Sequence, residues 1–402
     1  MRTLVFLLTL AGFVLPAFAA KRVTVAQLEQ ELAANSGGTD AEVARQLSDR
    51  ELSERLSTAR LDRLETNLPG EKARQALTIL ADASAFLDPP AAEISAQPAP
   101  DLAAQRKILA LTVNYVTQTV HQLPNFFAAR VTTSFEDTPN AQRPGAISAQ
   151  GLTSVIKYQT LHPVGAESVT VFYRDGHEVI ETVADKLKNR PPAARTLTTS
   201  GVFGPILGTV LVDSARSNLA WSHWEHGQSG PEAVFSYKVP KEKSHYTVIY
   251  ESRPTDPSAA DCSTKAQTFS PLVAYHGEMA VDPASGTVLR LILEADLKPG
   301  DFTVKSGIVV EYGEVNIGGR NYFVPLKSIS STLARSLQRA QMNPGCFELL
   351  VREDLKASLN DVVIGQYHVF RADATMLSER EAEKLETRPP AANDSGPNPG
   401  AP

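Results

Sequence analysis

The sequence predicts an α+β protein: N-terminal helices followed by a strongly curved, half-barrel-like antiparallel sheet with an inserted apolar helix. Apolar residues recur at helical spacing up to residue 123, and from residue 125 onward the period changes to two. The length of 402 residues exceeds the size at which one core stops growing, so we expect two folded parts. The formal net charge of −6 argues against a nucleic-acid partner.

The first residues are typical of a secretory signal peptide. Arg2 supplies a positive start, residues 4–15 are almost all apolar, and a small-x-small pattern ends at Ala19. We therefore expect residues 1–19 to be removed, with cleavage after Ala19 or Ala20, and the protein to be exported to the periplasm or the exterior. No later stretch has the length of a spanning helix, so we expect no membrane span after cleavage.

Residues 20–90 are expected to form a helical segment. Three capping-box patterns support it, each pairing a hydroxyl with a longer side chain three residues on: Thr24 with Gln27, Thr39 with Glu42, and Ser48 with Glu51. The third box predicts an amphipathic helix that carries Leu52, Leu56 and Leu64 and stops near residues 69–70, and another helix is expected over residues 71–87. Residues 91–100 are rich in Ala and Pro, which is typical of a linker.

Residues 101–377 are expected to form the curved β domain. A helix with one apolar seam is predicted over residues 102–123, followed by about a dozen strands with short turns. Residues 378–402 are predicted to be a disordered tail, since the last 14 hold five Pro and two Gly and nothing apolar larger than Ala.

One apolar segment, residues 202–212, interrupts the strands with helical spacing. Two compatible roles are open for such a helix. It plugs the open face of the curved sheet, or it lines an apolar ligand cavity. The candidate ligand-binding residues on it are Phe203, Ile206, Leu207, Val210 and Leu211.

The layout resembles the periplasmic half-barrel superfamily of lipoprotein carriers and related regulators. The features that carry the resemblance are export, the helix over residues 102–123, the meander, the inserted helix and the hairpin over residues 277–290. The resemblance covers residues 101–371 and implies a lipid or acyl chain held in an apolar concavity under helices. The helical segment before it has no counterpart in the basic half-barrel. The chain is also similar to uncharacterised secreted bacterial proteins.

The sequence offers few groups for catalysis. Residues 223–226 hold His223, Glu225 and His226, but strand spacing places the two imidazoles on opposite faces, which favours a polar strand end over a metal site. Ser154 and Lys157 match a Ser-x-x-Lys pattern that strand spacing again separates. His276 and Glu278 are expected to face solvent. We expect no catalytic residue, no metal ligand and no cofactor.

The two cysteines, Cys262 and Cys346, are expected to form a disulfide in an oxidising compartment, with two free thiols as the alternative.

These features together predict an exported, non-enzymatic protein that binds an apolar or lipid-like ligand. One alternative is a cell-envelope interaction module that binds a protein partner through the N-terminal helices. A second alternative is a hydrolase, which requires His223, Glu225 and His226 to converge with another polar group.

Overall fold

The structure is a computed structural model that describes residues 20–35, 37–137, 161–174, 177–180, 202, 205–227, 230–252, 267–342 and 346–369. The helices in these ranges are α1 (Val25–Ala34), α2 (Asp40–Ser48), α3 (Thr58–Glu65), α4 (Glu71–Ala83), α5 (Leu102–Gln122) and α6 (Pro205–Ala215). The strands are β1 (Lys21–Val23), β2 (Arg50–Leu52), β3 (Phe126–Glu136), β4 (His162–Arg174), β5 (His177–Ile180), β6 (Asn218–Gly227), β7 (Gly230–Val239), β8 (Tyr250–Ser252), β9 (Gln267–Phe269), β10 (Tyr275–Val281), β11 (Val288–Ala295), β12 (Thr303–Ile317), β13 (Arg320–Met342) and β14 (Cys346–Val369).

The N-terminal unit, which we define as residues 20–90, packs four helices around its own apolar cluster. The capping box predicted at Thr24 is present, since the Gln27 amide donates to Oγ1 of Thr24 and the Thr24 amide donates to Oε1 of Gln27. The box predicted at Thr39 is also present at the start of α2. The cluster is built from side chains of all four helices, of β1 and β2, and of the segment before α3.

The third predicted capping box is wrong. Ser48 ends α2 instead of starting a helix, and its Oγ donates to the carbonyl oxygen of Ala44 at 2.9 Å. The following residues pair in parallel with β1, with Leu52 opposite Val23, and both side chains are buried in the cluster. This pairing displaces the start of the next helix to Thr58, where α3 begins.

The large sheet has ten strands in the order β5-β4-β3-β14-β13-β12-β11-β10-β7-β6. All its described pairings are antiparallel, and its two outermost strands, β5 and β6, each pair with one strand of this sheet. The prediction of a mixed α+β fold with a large antiparallel sheet is therefore confirmed. Helix α5 lies where the apolar spacing predicted it, whereas α6 runs further along the chain than the predicted residues 202–212.

The two faces of the sheet bury different partners. On β11, Leu291 and Leu293 belong to a cluster that includes side chains of α5 and α6, and we call this side the helix face. The alternate residue, Ile292, packs instead in a cluster with Ala85 and the partly buried Phe86 of the N-terminal unit, and we call this side the joint face. Successive side chains of a strand point to opposite faces, and here both faces contribute to burial.

The segment predicted as a linker, residues 91–100, lies along the edge of the sheet. The Ser95 amide donates to the Trp224 carbonyl and the His226 amide donates to the Glu93 carbonyl, each at 2.8 Å. Nε1 of Trp224 in turn donates to the Pro98 carbonyl at 3.0 Å. The segment thus supplies hydrogen-bond partners to β6, which would otherwise present an open edge.

Several predictions concern residues outside the described part of the chain. These are the signal peptide at residues 1–19, the tail at residues 378–402, and the side chains of Ser154, Lys157, Phe203 and Cys262. The side chain of Cys346 is not described either, so the disulfide stays a prediction. Among the helices that the structure does describe, none is both long and apolar enough to cross a membrane.

Candidate functional site

Helix α6 places the predicted ligand-binding residues against the sheet. Ile206, Leu207 and Val210 are buried in the helix-face cluster, and Leu211 is partly buried against it. The same cluster includes Phe235 and Tyr237 of β7 and Met279 of β10. The structure thus brings four of the five predicted residues to one apolar face, with Phe203 outside the described residues.

The carboxyl end of α6 is held on the sheet by a buried carboxylate. Asp213 is fully buried, and its Oδ2 accepts hydrogen bonds from Tyr275 Oη at 2.9 Å and from the His245 amide at 2.8 Å. Its Oδ1 lies 2.5 Å from Nδ1 of His245, whose side chain is largely exposed. Burial and the bond to Asp213 raise the pKa of Tyr275, so its hydroxyl stays a donor. These bonds fix the position of α6 over β10.

Further along the helix face lies a row of buried, uncharged polar side chains on β12, β13 and β14. Ser328 stands opposite Val310 and Val362, which both belong to the helix-face cluster, so its side chain faces the same side. We define this polar row by its five members, each at most 8 % exposed: Ser306, Ser328, Ser330, Ser358 and Asn360. Ser134 on β3 extends it, since its Oγ donates to Asn360 Oδ1 at 2.8 Å.

Two hydroxyl groups at this place have no hydrogen-bond partner among the described residues. One is the Ser328 hydroxyl, on a side chain that is 1 % exposed. The other is the hydroxyl of Tyr312, a residue packed against the helix-face cluster two positions after Val310. Burial raises the pKa of Tyr312, so this group is a neutral donor and acceptor. A buried hydroxyl without a partner is costly, which makes both groups available to a bound polar atom.

The joint face holds the histidine–glutamate cluster that the sequence singled out. Glu225 is buried, and its Oε1 and Oε2 pair with Arg55 at 2.6 Å and with Arg290 at 2.7 Å. Burial alone raises the pKa of Glu225, but hydrogen bonding to His223 and the two arginine charges outweigh it and hold the pKa below its usual range. The carboxylate is therefore an ion-pair partner that connects the N-terminal unit to the sheet.

The two histidines of this cluster differ in their surroundings. Nε2 of His223 lies 3.5 Å from Glu225 Oε2, because residues two apart on a strand share a face. A bulge after Trp221 places both tryptophans against the helix-face cluster. His226 is exposed, and its backbone amide bonds to Glu93. The three side chains thus form an ion-pair network at one end and an exposed imidazole at the other, without a shared pocket among the described residues.

A second ion pair on the joint face joins α4 to β13 and β14. Nζ of Lys327 lies 2.7 Å from Asp82 Oδ1 and 3.6 Å from Asp361 Oδ1. Burial and the neighbouring charge of Asp361 raise the pKa of Asp82 to about 7, although Lys327 opposes this. One ammonium faces two buried carboxylates here, so the pair holds a proton more readily than an exposed aspartate does.

His276 and Glu278, the other acidic–basic pair of the sequence, contact different partners. Nδ1 of His276 lies 2.7 Å from Asp296 Oδ1, and Oε1 of Glu278 accepts a hydrogen bond from Ser222 at 3.2 Å. The His276 side chain is half exposed. Within the described ranges, no three His, Cys, Asp or Glu side chains are grouped so as to hold a metal ion.

A polar cleft lies on the N-terminal unit, away from α6. It has a volume of about 370 Å³ and is lined by residues of α2, of the segment between α1 and α2, and of the two positions that follow α2. Its side chains carry both charges, with Glu42 and Asp49 beside Arg45 and Arg50. A cleft of this composition suits a polar partner better than an acyl chain.

The fold and the helix face together describe a mixed α+β protein with a large antiparallel sheet, one side of which packs on helices and carries buried hydroxyls. Comparisons with family models, with curated proteins and with solved structures found no match to this chain. The resemblance to half-barrel carriers therefore stays a proposal.

Four residues at these sites were not predicted from the sequence. Asp213 could have been singled out from the sequence, because it is the only charged residue in the apolar helix α6. The alternation of Ser328 and Ser330 with apolar residues is typical of a strand that faces solvent on one side, although both serine side chains are buried. Arg55 lies 170 residues from Glu225 in the chain, so no local pattern connects them.

Proposed function

We propose that this chain is an exported, non-enzymatic binding protein for an amphiphile that carries an acyl chain, and that its binding site is the helix face. The observation that carries the proposal is the buried polar row directly beside the apolar cluster under α5 and α6. An acyl chain has the chemistry of the cluster, and the polar end of the same molecule has that of the row. Residues 1–19 support export through their signal-peptide pattern.

The half-barrel shape is the second part of the proposal. Ten strands at a spacing of about 4.8 Å cover roughly 45 Å, whereas two helices of about 10 Å diameter cover roughly 20 Å. The helix-face cluster nevertheless includes Tyr173 of β4 and Phe235 of β7, and these two strands lie near opposite edges of the sheet. A sheet that bends around α5 and α6 accounts for this distribution of burial.

Lipid extraction from the protein, expressed from its full reading frame and purified from the exported fraction, tests the proposal. We expect mass spectrometry to find acyl lipids at close to one molecule per chain, and delipidated protein to take them up again. The absence of lipid together with no uptake by the delipidated protein would refute the proposed function.

A matched pair of α6 variants locates the site. Ile206→Asn places an amide in the helix-face cluster, whereas Val212→Asn makes the same type of change on the half-exposed side of the same helix. We expect the first variant to lose lipid uptake and the second to keep it, with circular dichroism as the check on folding. Equal uptake by both folded variants would place the ligand elsewhere.

The polar cleft of the N-terminal unit favours a second candidate function, the binding of a protein partner. Deleting the helices is a poor test, because it would leave Glu225 and Lys327 without their ion-pair partners from the unit. Reversing a cleft charge with Arg45→Glu keeps those pairs intact. If the cleft binds a partner, capture from an envelope extract falls with Arg45→Glu and stays unchanged with Glu51→Lys, an exposed control outside the cleft.

A further inference from the structure

We infer that the ligand of the helix face has an uncharged polar end that bears hydroxyl groups, such as that of a monoacylglycerol, and not a carboxylate or a phosphate. This inference rests on the proposed function and names the class of ligand for the same site. It stands on the chemistry of the polar row and on the way in which the charges of this face are paired.

The row supplies groups that recognise neutral polar atoms. Hydroxyl groups both donate and accept, and the Asn360 amide does the same, so together they match a glycerol head that carries donors and acceptors. The Ser328 hydroxyl and the Tyr312 hydroxyl are buried without a partner among the described residues, so a ligand hydroxyl that bonds to them satisfies both sides.

Two basic groups on strands of this face, Arg130 and Lys356, are already paired with carboxylates. Arg130 faces the helix side, because it stands opposite Ile364 of the cluster, and its Nη1 pairs with Glu178 at 3.2 Å. Lys356, two residues before Ser358 on the same strand, pairs with Glu136 at 2.6 Å. The remaining buried or half-buried cations described above, Arg55, Arg290 and Lys327, lie on the joint face in pairs with carboxylates.

An anionic head would therefore enter a buried site beside cations, Arg130 and Lys356, that already have carboxylate partners. Burying a charge without a partner costs far more than burying a hydroxyl that gains a hydrogen bond. For two ligands with the same acyl chain, the site accordingly favours the one with a neutral head over the one with a carboxylate. The apolar cluster beside the row binds the chain of either molecule, so the head decides the preference.

The two tryptophans of the chain provide the measurement. Trp221 and Trp224 both pack against the helix-face cluster, and a brominated acyl chain quenches tryptophan emission on contact. Delipidated full-length protein is titrated with 9,10-dibromostearoyl glycerol and, separately, with 9,10-dibromostearate, two molecules with the same chain and different heads. We expect the glycerol ester to bind at least about tenfold more tightly, as one additional satisfied hydrogen bond to a buried group predicts.

Two serine variants on the same strand complete the test. Ser328→Ala removes a row hydroxyl, whereas Ser331→Ala makes the identical change on the joint face, where Ser331 stands opposite Leu359. We expect Ser328→Ala to weaken binding of the ester about three- to tenfold without affecting the stearate, and Ser331→Ala to change neither.

The outcomes separate the two proposals. Stearate binding as tight as that of the ester, or equal effects of the two serine variants, would overturn the neutral-head inference and leave the proposed function standing. Absence of quenching by both brominated molecules, with no lipid in the extracted protein, would instead count against the proposed function itself.

Discussion

The two faces of the ten-stranded sheet differ in the polar groups that they bury. The joint face connects to the N-terminal unit through buried ion pairs, in which Glu225 bonds to Arg55 and Arg290, and Asp82 bonds to Lys327. The helix face packs apolar side chains of α5 and α6, and its buried polar row is uncharged. Buried ion pairs of fixed geometry suit a permanent contact, whereas a largely apolar surface beside an uncharged polar row suits an exchangeable ligand.

The largest expected effect comes from breaking the joint. Glu225→Leu leaves two buried arginines without their shared carboxylate, which should lower the free energy of unfolding by about 3–5 kcal/mol. Urea denaturation measures this change. The control is Glu51→Leu, which removes an exposed pair with Arg22 and should cost at most about 1 kcal/mol. Equal effects of the two variants would show that the joint adds no specific stability.

A smaller effect is expected at the anchor of α6. Asp213→Ala leaves the Tyr275 hydroxyl and the His245 amide without their buried acceptor, at a cost of about 2–3 kcal/mol. Amide exchange in residues 205–215 should accelerate, because the helix loses its attachment to β10. Asp296→Ala serves as the control, since it removes a partly exposed partner of His276. Unchanged exchange in α6 would mean that its apolar packing alone holds the helix.

The two faces should also differ in their response to pH. Because the pKa of Asp82 is raised to about 7 in the folded state, the folded chain binds this proton more tightly than the unfolded chain. Between about pH 5 and 7 the contribution of Asp82 to stability therefore decreases as pH rises, by up to about 1.4 kcal/mol per unit, and it levels off above pH 7.

The variant Asp82→Asn isolates this effect. Urea denaturation between pH 5 and 8 should show Asp82→Asn gaining stability relative to the parent protein as pH rises, because the amide does not ionise. The helix-face variant Ser328→Ala should keep a constant difference from the parent over the same range. A constant difference for Asp82→Asn as well would contradict the raised pKa.

The fold was predictable where the pattern is local. The apolar seam predicted α5, and the period of two predicted strands from residue 125 onward. The capping box at Ser48 failed because the parallel pairing of β2 with β1 is a tertiary contact that outweighs a local signal. Contacts on the two faces depend on the register between strands and on the packing of helices against the sheet. The sequence of a single strand specifies neither.

The candidate site could also be predicted from the sequence only in part. Ile206, Leu207 and Val210 were found from helical spacing, since apolar periodicity marks the buried side of a helix. The polar row was not found from the sequence, because Ser328 and Ser330 alternate with Ile329. This alternation is typical of a strand that faces water on one side. Both sides of β13 are in fact buried there, by the N-terminal unit on one side and within the helix face on the other.

Hydrogen–deuterium exchange of the delipidated full-length protein, with and without monooleoylglycerol, tests the central claim that the helix face is the ligand site. We expect slower exchange on ligand addition in α6 and in the segments of β12, β13 and β14 that carry the polar row. Exchange in the N-terminal unit, residues 20–90, should stay unchanged. Protection confined to the N-terminal unit, or no protection at saturating ligand, would contradict the account.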